Sequence, residues 1–505
     1  MGRGLQIGVR KRSHRVSALC TTIASIAIAA GICRADPAVL YAGPTVGPNV
    51  FYSIPFSVSP QISSLGGGTS IGRFYVNAGS AGTNVGSRVL LWDTNGSVTT
   101  MQPLSTTPAG YSDAWLTNVT STGQIIGYAE KYASDGTDLG QRAVRWNASG
   151  ALVAELPSPF TLSSGYALNN ANSANSSGVV VGLTQKYSGS TSIGTRPVMW
   201  AANGTPTVLG DLGVNSTGYT EGYATGINDA GTIVGDVVNP ARGLSGSFSA
   251  VRWAAGSTTP VELGNLGTDP NGAADVRATG INAAGVTFGS AYKFVGGQSR
   301  GQRAVAWLPG QTAALELANL GTGTDTLYGP DYTESRVVAI NKTSEMVGFT
   351  RKYVASVPGT GFNYIDVATA WDTTDAVREL SSLSSIFPSY IYSGANDVNS
   401  SGIVVGVAHT SAALSSINRA VYWNPDGSIV DLTSLLGPSS PWDLRTADSI
   451  SDDGWITGQG TYWPNNRQGF GYYMEYALQL PEPMALATIL PPALLLLNRR
   501  RRSIR

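Results

Sequence analysis

The sequence predicts an all-β fold, a β-propeller of about eight four-stranded blades, and three observations carry that reading. First, Trp92, Trp146, Trp200, Trp253, Trp307, Trp371 and Trp423 follow one another at spacings of 54, 54, 53, 54, 64 and 52 residues. Self-similarity at a near-constant period marks a repeat architecture. Second, about 25 residues upstream of most of these tryptophans runs a motif best seen as Ile227-Asn228-Asp229-Ala230-Gly231-Thr232-Ile233-Val234-Gly235. Its copies include Ile281–Gly285, Ile340–Ser344 and Val398–Gly402, with weaker versions at Val119–Gly127, Ala174–Gly182 and Ile450–Gly458. All seven close on a glycine: Gly127, Gly182, Gly235, Gly289, Gly348, Gly406 and Gly458. Third, Asn-Gly and Asp-Gly turns follow several of the tryptophans, and these are the strongest short hairpin signals.

Each unit reads as four short strands. Tyr223–Ile227 is the first, and Asn228–Gly231 is its turn, because Asn tolerates left-handed backbone and Gly takes it freely. Thr232–Val237 is the second strand; its internal Gly235 points to a bulge or a close backbone approach. A variable polar loop such as Asn239–Ser247 leads to the third strand. That strand ends on the tryptophan, as in Arg142-Ala143-Val144-Arg145-Trp146, with Arg, Val and Trp on one face at period two. Turns such as Ala201-Ala202-Asn203-Gly204 precede a fourth strand closing on leucine, as in Val261–Leu266.

Four antiparallel strands at this period make a propeller blade, and residues 48–480 hold about eight. The first is degenerate, running from Phe51 to Trp92. The last ends in Phe470–Leu480, with Tyr472 or Tyr473 in place of the tryptophan. Seven blades is the alternative, reached if the two ends share one blade; a right-handed β-solenoid ranks third. Leu-Gly-Gly followed by Ile-Asn-x-x-Gly-x-Val-Val-Gly and Arg-Ala-Val-x-Trp resembles the bacterial HAF extracellular repeats. The family's usual His-Ala-Phe before the tryptophan is Arg-Ala-Val here, which keeps the apolar alternation. The resemblance implies an exported propeller and brings no catalytic residues with it.

Both ends of the chain read as processing signals. Arg3, Arg10, Lys11, Arg12 and Arg15 precede an apolar stretch from Val16 to Ile32, and Cys33-Arg34-Ala35 offers small residues for cleavage between Ala35 and Asp36. This is the layout of a secretory signal peptide, residues 1–35, with cleavage after Ala30 as the alternative. Neither Cys20 nor Cys33 follows the small residue that a lipobox needs. Residues 36–47 read as a linker.

At the other end, Pro481, Glu482 and Pro483 open an apolar run, Met484–Leu497, closed by Arg499, Arg500, Arg501 and Arg502. Fourteen residues make about 21 Å of helix, short of a bilayer core of about 30 Å. Pro491-Pro492 weakens that helix further, and the arginines resist translocation. The segment suits a temporary brake, a transient inner-membrane insertion; an ordinary single-pass anchor is the alternative. The order of residues 481–505 resembles the PEP-CTERM sorting tail. That resemblance implies an exosortase-type membrane protease as partner, cutting near Pro481–Pro483.

Composition narrows the chemistry. Both cysteines lie in the signal segment and only His409 remains beyond it. The mature chain therefore has no disulfide, no thiolate chemistry and no His or Cys cluster for a metal. Of the 32 basic residues eleven lie in the two terminal segments, against Glu482 alone of the 32 acids, leaving 21 against 31 and a net charge near −10. An acidic body argues against nucleic acid; exopolysaccharide or another surface protein is the expected partner. No cofactor is indicated.

Several residues invite a chemical role. Gly68-Thr69-Ser70-Ile71-Gly72 matches a G-x-S-x-G elbow, which needs a strand–turn–helix setting and a histidine; the setting here is all-β. Ser451-Asp452-Asp453-Gly454-Trp455 resembles an Asp-box but aligns as the seventh turn motif. Asp211, Asp229, Asp331, Glu334, Asp452 and Asp453 could supply a glycosidase pair, the basis of an alternative reading as a carbohydrate-active enzyme; turn and surface roles are the plainer one. The Asp-Asn-Gly turns could also hold calcium, although no D-x-D-x-D-G ladder or nonapeptide repeat occurs. The register tryptophans suit packing between blades. Trp442, Trp455, Trp463, Tyr328, Tyr332, Tyr390 and Tyr392, with the long loop Arg351–Asp366, are the better ligand candidates. The expected protein is a non-enzymatic binding or structural propeller at the cell surface or in extracellular matrix.

Overall fold

The computed structural model describes residues 39–42, 52–54, 70–78, 83–93 and 97–480, except 121, 243–246, 326–328, 356, 358–362, 375, 386–388, 411–417 and 464–471. Side chains are described from Val85 onward, apart from positions 92 and 472–474. The signal segment and the sorting tail lie outside these residues.

Among the described residues the strands form eight four-stranded antiparallel sheets and one two-stranded ribbon. Blade 4 shows the pattern. Gly222–Ile227 is the innermost strand, followed by Ile233–Val238, Phe248–Trp253 and the three-residue outer strand Pro260–Glu262. Asn228 and Thr232 close the first hairpin, with Gly231 at φ +82°. Blades 1 to 7 occupy residues 52–100, 114–155, 169–208, 222–262, 276–316, 335–379 and 392–431.

Blade 8 is composite. Its strands Trp442–Ile450, Trp455–Tyr462 and Tyr472–Gln479 receive a fourth, Val39–Ala42, from the other end of the chain, with Val39 opposite Gln479. The two ends thus share a blade and the count is still eight. Residues 36–47 are therefore not a plain linker, since they contain the strand that caps the last open edge. An uncapped edge would present unpaired donors and acceptors to other chains.

The pairing also moves the last tryptophan register. Ile456 lies opposite Leu478, as Ile233 lies opposite Trp253. Leu478, not Tyr472 or Tyr473, therefore stands in that position, fully buried. The 64-residue interval from Trp307 to Trp371 has two sources. The ribbon Gly323–Asp325 with Gly329–Tyr332 lengthens the connection into blade 6, and the loop between Met346–Tyr353 and Tyr364–Trp371 is also longer.

Contacts between blades explain the repeat. Trp146, Trp200, Trp253, Trp307, Trp371 and Trp423 are at most 1% exposed. Each indole donates to a carbonyl in the segment that follows the preceding blade, at 2.7–3.1 Å. A buried indole needs such a partner. Arg142 and Arg196, in the Arg-Ala-Val-x-Trp register, reach forward instead: Arg142 bonds Gly165 O at 2.8 Å, and Arg196 bonds Thr220 O at 2.9 Å.

The seven closing glycines face a bulge in the innermost strand, such as that between Ala224 and Gly226. A Cβ there would fall 1.8–2.1 Å from a strand-one carbonyl oxygen, Tyr223 O for Gly235 and Gly394 O for Gly406. Only glycine fits that approach.

Candidate functional site

The first hairpin turns of blades 2 to 8 meet at one mouth of the central channel around a cavity of about 520 Å³. The motif places three kinds of residue there. The position before the Asn supplies an apolar collar, including Ile227, Ile281, Ile340, Val398 and Ile450. Above it lie the Asn residues themselves and a rim of exposed Ser176, Asp229, Ala283, Lys342 and Asp452 with half-buried Ser400.

The Asn residues are fully engaged. Their Nδ2 groups donate to the main-chain carbonyl of the equivalent residue in the next blade: Asn175 to Asn228, Asn228 to Asn282, Asn282 to Asn341, Asn341 to Asn399 and Asn399 to Ser451, at 2.9–3.3 Å. Each Oδ1 accepts from the amide four residues on, closing its own turn at 2.9–3.0 Å. Asn alone supplies a donor and an acceptor at this reach. In blades 2 and 8, Thr120 and Ser451 close the turn through the hydroxyl oxygen.

The rim carboxylates are bonded too. Asp229 accepts from Ser176 N at 2.8 Å and Asp452 from Ser400 N at 2.9 Å. Lys342 of blade 6 reaches Asp452 of blade 8 at 2.6 Å, and Asp453 accepts from Ser451 Oγ. Deeper, Asp397 is buried and accepts from Ile450 N at 2.8 Å and Ser449 Oγ at 3.1 Å; burial pushes its carboxyl up to about 7. Asp236 makes the same kind of link to Ala278 N at 2.6 Å, and burial pushes it to about 7 as well. These acids join blades.

The remaining candidates scatter. Ser70 opens a nine-residue strand, Ser70–Ala78, paired with the Trp92 strand, so the elbow setting is absent. Asp211 pairs with Arg196 at 3.5 Å. Asp331 sits in the ribbon at φ +59°. Among the aromatics, Trp442, Trp455, Tyr332 and Tyr390 are 4–8% exposed and belong to the scaffold, Trp463 donates to Asp443 at 3.0 Å, and Tyr328 lies outside the described residues.

A second cluster gathers where the loop Arg351–Asp366 leaves blade 6. Arg351 is held between Glu334 at 2.9 Å and Asp366 at 3.4 Å, its guanidinium 3.9 Å from the Tyr364 ring centre. In blade 7, Tyr392 and His409 stack at 5.1 Å and 12°. Burial raises Asp366, opposed by Arg351 and His409. Tyr392 is half-buried and was legible in the sequence as a ligand candidate; Tyr364 and His409 come to the cluster only through strand pairing. Among the described residues no group of three or more His, Cys, Asp or Glu could hold a metal, and no helix is long and apolar enough to cross a membrane.

This geometry defines a β-propeller with an open cavity at a mouth of its channel. No protein-family model and no curated protein sequence matches the chain. Among solved structures it is similar to puromycin hydrolase, at 12% identity over 82% of this chain and 63% of that one, TM-score 0.40. It is also similar to the β-propeller domain of the Trilobed protease from Pyrococcus furiosus (9% identity, 79% and 97% covered, TM-score 0.38). Polysaccharide lyase Uly1 is a third (9%, 88% and 97%, 0.37). The chain thus spans about three fifths of the hydrolase's length. The likeness is confined to architecture.

Proposed function

We propose that this chain is an exported, non-enzymatic binding propeller of the cell surface or extracellular matrix, sorted through Pro481-Glu482-Pro483. The sequence supports export: a signal-like segment precedes the propeller, and an apolar brake closed by four arginines follows it. The observation that carries the binding reading is the state of the channel-mouth acids. Asp229, Asp397, Asp452 and Asp453 each accept hydrogen bonds from the scaffold, so no free pair is poised there for acid–base work.

The mouth offers instead an apolar collar beneath a polar rim in a cavity of about 520 Å³, the size and composition of a small-ligand site. A neutral polysaccharide end or a peptide loop suits it, since a body near −10 repels polyanions. The test is incubation with a panel of neutral and uronate polysaccharides, including the native matrix. Saturable retention on a neutral polymer with no new chain ends supports the reading. New reducing ends or unsaturated products in proportion to protein would make it an enzyme.

A further inference from the structure

Blade 8 departs from the other blades at two positions that face forward, toward the blade that follows. The first lies three residues before the register tryptophan. Blades 2, 4, 5, 6 and 7 carry alanine there, Ala143, Ala250, Ala304, Ala368 and Ala420, all fully buried. Ala143 packs with Ala171, Val180 and Val198 of blade 3, which fixes the direction in which the position looks. With Leu478 in the tryptophan register, the blade 8 residue is Glu475. It is 6% exposed, and neither carboxyl oxygen has a hydrogen-bond partner.

The second position is the bulged residue of the innermost strand. A bulge re-aims its side chain, and here it does so across the seam. Thr117, Asn172, Thr225 and Asn396 each donate to a carbonyl of the following blade, at Ala171, Ala224, Ala278 and Ala447, over 2.6–3.0 Å. In blade 8 the bulge falls between Ala447 and Ser449, and the residue is Asp448. An ionised carboxyl cannot donate. Where four seams carry a donor, this one carries an acceptor; Asp448 has a hydrogen bond with Thr446 of its own strand, and its negative charge bears on Glu475. The blade beyond is blade 1, whose first strand, Tyr52–Ile54, lies against Tyr472–Gln479.

We propose that Asp448 and Glu475 bind a hard divalent cation, calcium in class, at the seam where blade 8 meets blade 1. A buried carboxylate without a partner, as Glu475 is, is strongly unfavourable, and the nearby charge of Asp448 makes it worse. Burial raises both groups, Asp448 to about 6, which states the same cost. A cation answers both anomalies: it neutralises the pair and joins acceptor to acceptor, as the Thr and Asn donors do elsewhere. The ligands are oxygen only, which selects calcium-like ions over zinc or copper. No third acid or histidine joins them among the described residues, leaving the remaining positions to carbonyls and water, which calcium accepts.

The test uses the full chain, stripped with a chelator and titrated with calcium. Thermal unfolding is one readout, and terbium emission excited through the blade 8 tryptophans is the other. Calcium should raise the unfolding midpoint in a saturable way and displace terbium. E475Q and D448N should each weaken the apparent affinity at least tenfold. E475A restores the residue used by five other blades; it should fold with a midpoint indifferent to calcium. The proposal is overturned if the wild-type midpoint is the same with chelator and with calcium, or if the calcium response survives in the E475Q/D448N double variant.

Discussion

Asn341 holds two blades with one side chain: its Nδ2 donates to Asn399 O at 2.9 Å, and its Oδ1 accepts from Glu345 N at 2.9 Å. N341D keeps the shape and the acceptor but removes the donor, and it sets a carboxylate against a carbonyl. An unmade buried hydrogen bond costs about 1–3 kcal/mol, so the variant should lose that much in denaturant unfolding. N341S, which copies Ser451 of blade 8, should lose less.

Gly394 and Gly406 lie on the two paired strands of the first hairpin of blade 7, Gly394 opposite Val407 and Gly406 opposite Ala395, and they should respond oppositely to alanine. A Cβ on Gly394 meets nothing within 4 Å, whereas one on Gly406 falls 2.1 Å from Gly394 O. G394A should stay within about 0.5 kcal/mol of wild type. G406A should cost about 3 kcal/mol, the upper range for overpacking. Equal effects would contradict the assigned bulge.

Asp397 gives the ring a pH dependence. Its folded-state carboxyl is raised by burial from 3.8 to about 7. Between those values the folded chain binds more protons than the unfolded one. Its stabilising contribution is therefore complete below about pH 4 and declines as pH rises toward 7. D397N should flatten the stability profile over that window, in equilibrium unfolding across pH. Asp236 should leave a residual slope of the same sign.

Val39 opposite Gln479 marks the closure of blade 8. Residues 36–480 contain no cysteine, so V39C/Q479C offers a clean test. Oxidation should cross-link the pair within one chain and slow unfolding. Failure to cross-link in the folded protein would contradict the composite blade.

The sequence made the repeating features of the ring visible because their constraints are local. Trp253 must reach Gly210 O, Gly235 must admit Tyr223 O, and Asn228 must bond both its own turn and blade 5; each demand recurs in other blades and therefore prints a period. Closure happens once and prints none. Val39–Ala42 is four residues without a signal of its own, and its partner lies at the far end of the chain. Leu478 carries no aromatic signal in the sequence, whereas Tyr472 and Tyr473 resemble tryptophan; pairing, not residue type, assigns the register. The turns themselves were legible in the motif, but that they meet at the channel mouth, and that their Asn residues serve the scaffold, follows only from one blade lying beside the next. The stack of Tyr392 on His409 and the clamp on Arg351 join residues distant in sequence, so their spacing carried no pattern.

Intact mass with terminal peptide mapping, on protein from native cells and from medium, tests the central claim of an exported, sorted propeller most directly. The account predicts a mature species beginning near Asp36, a few residues before the closing strand, and ending near Pro481–Pro483, just beyond Leu480. A full-length C-terminus still carrying Arg499–Arg502 in the membrane fraction would contradict sorting and leave a permanently anchored propeller.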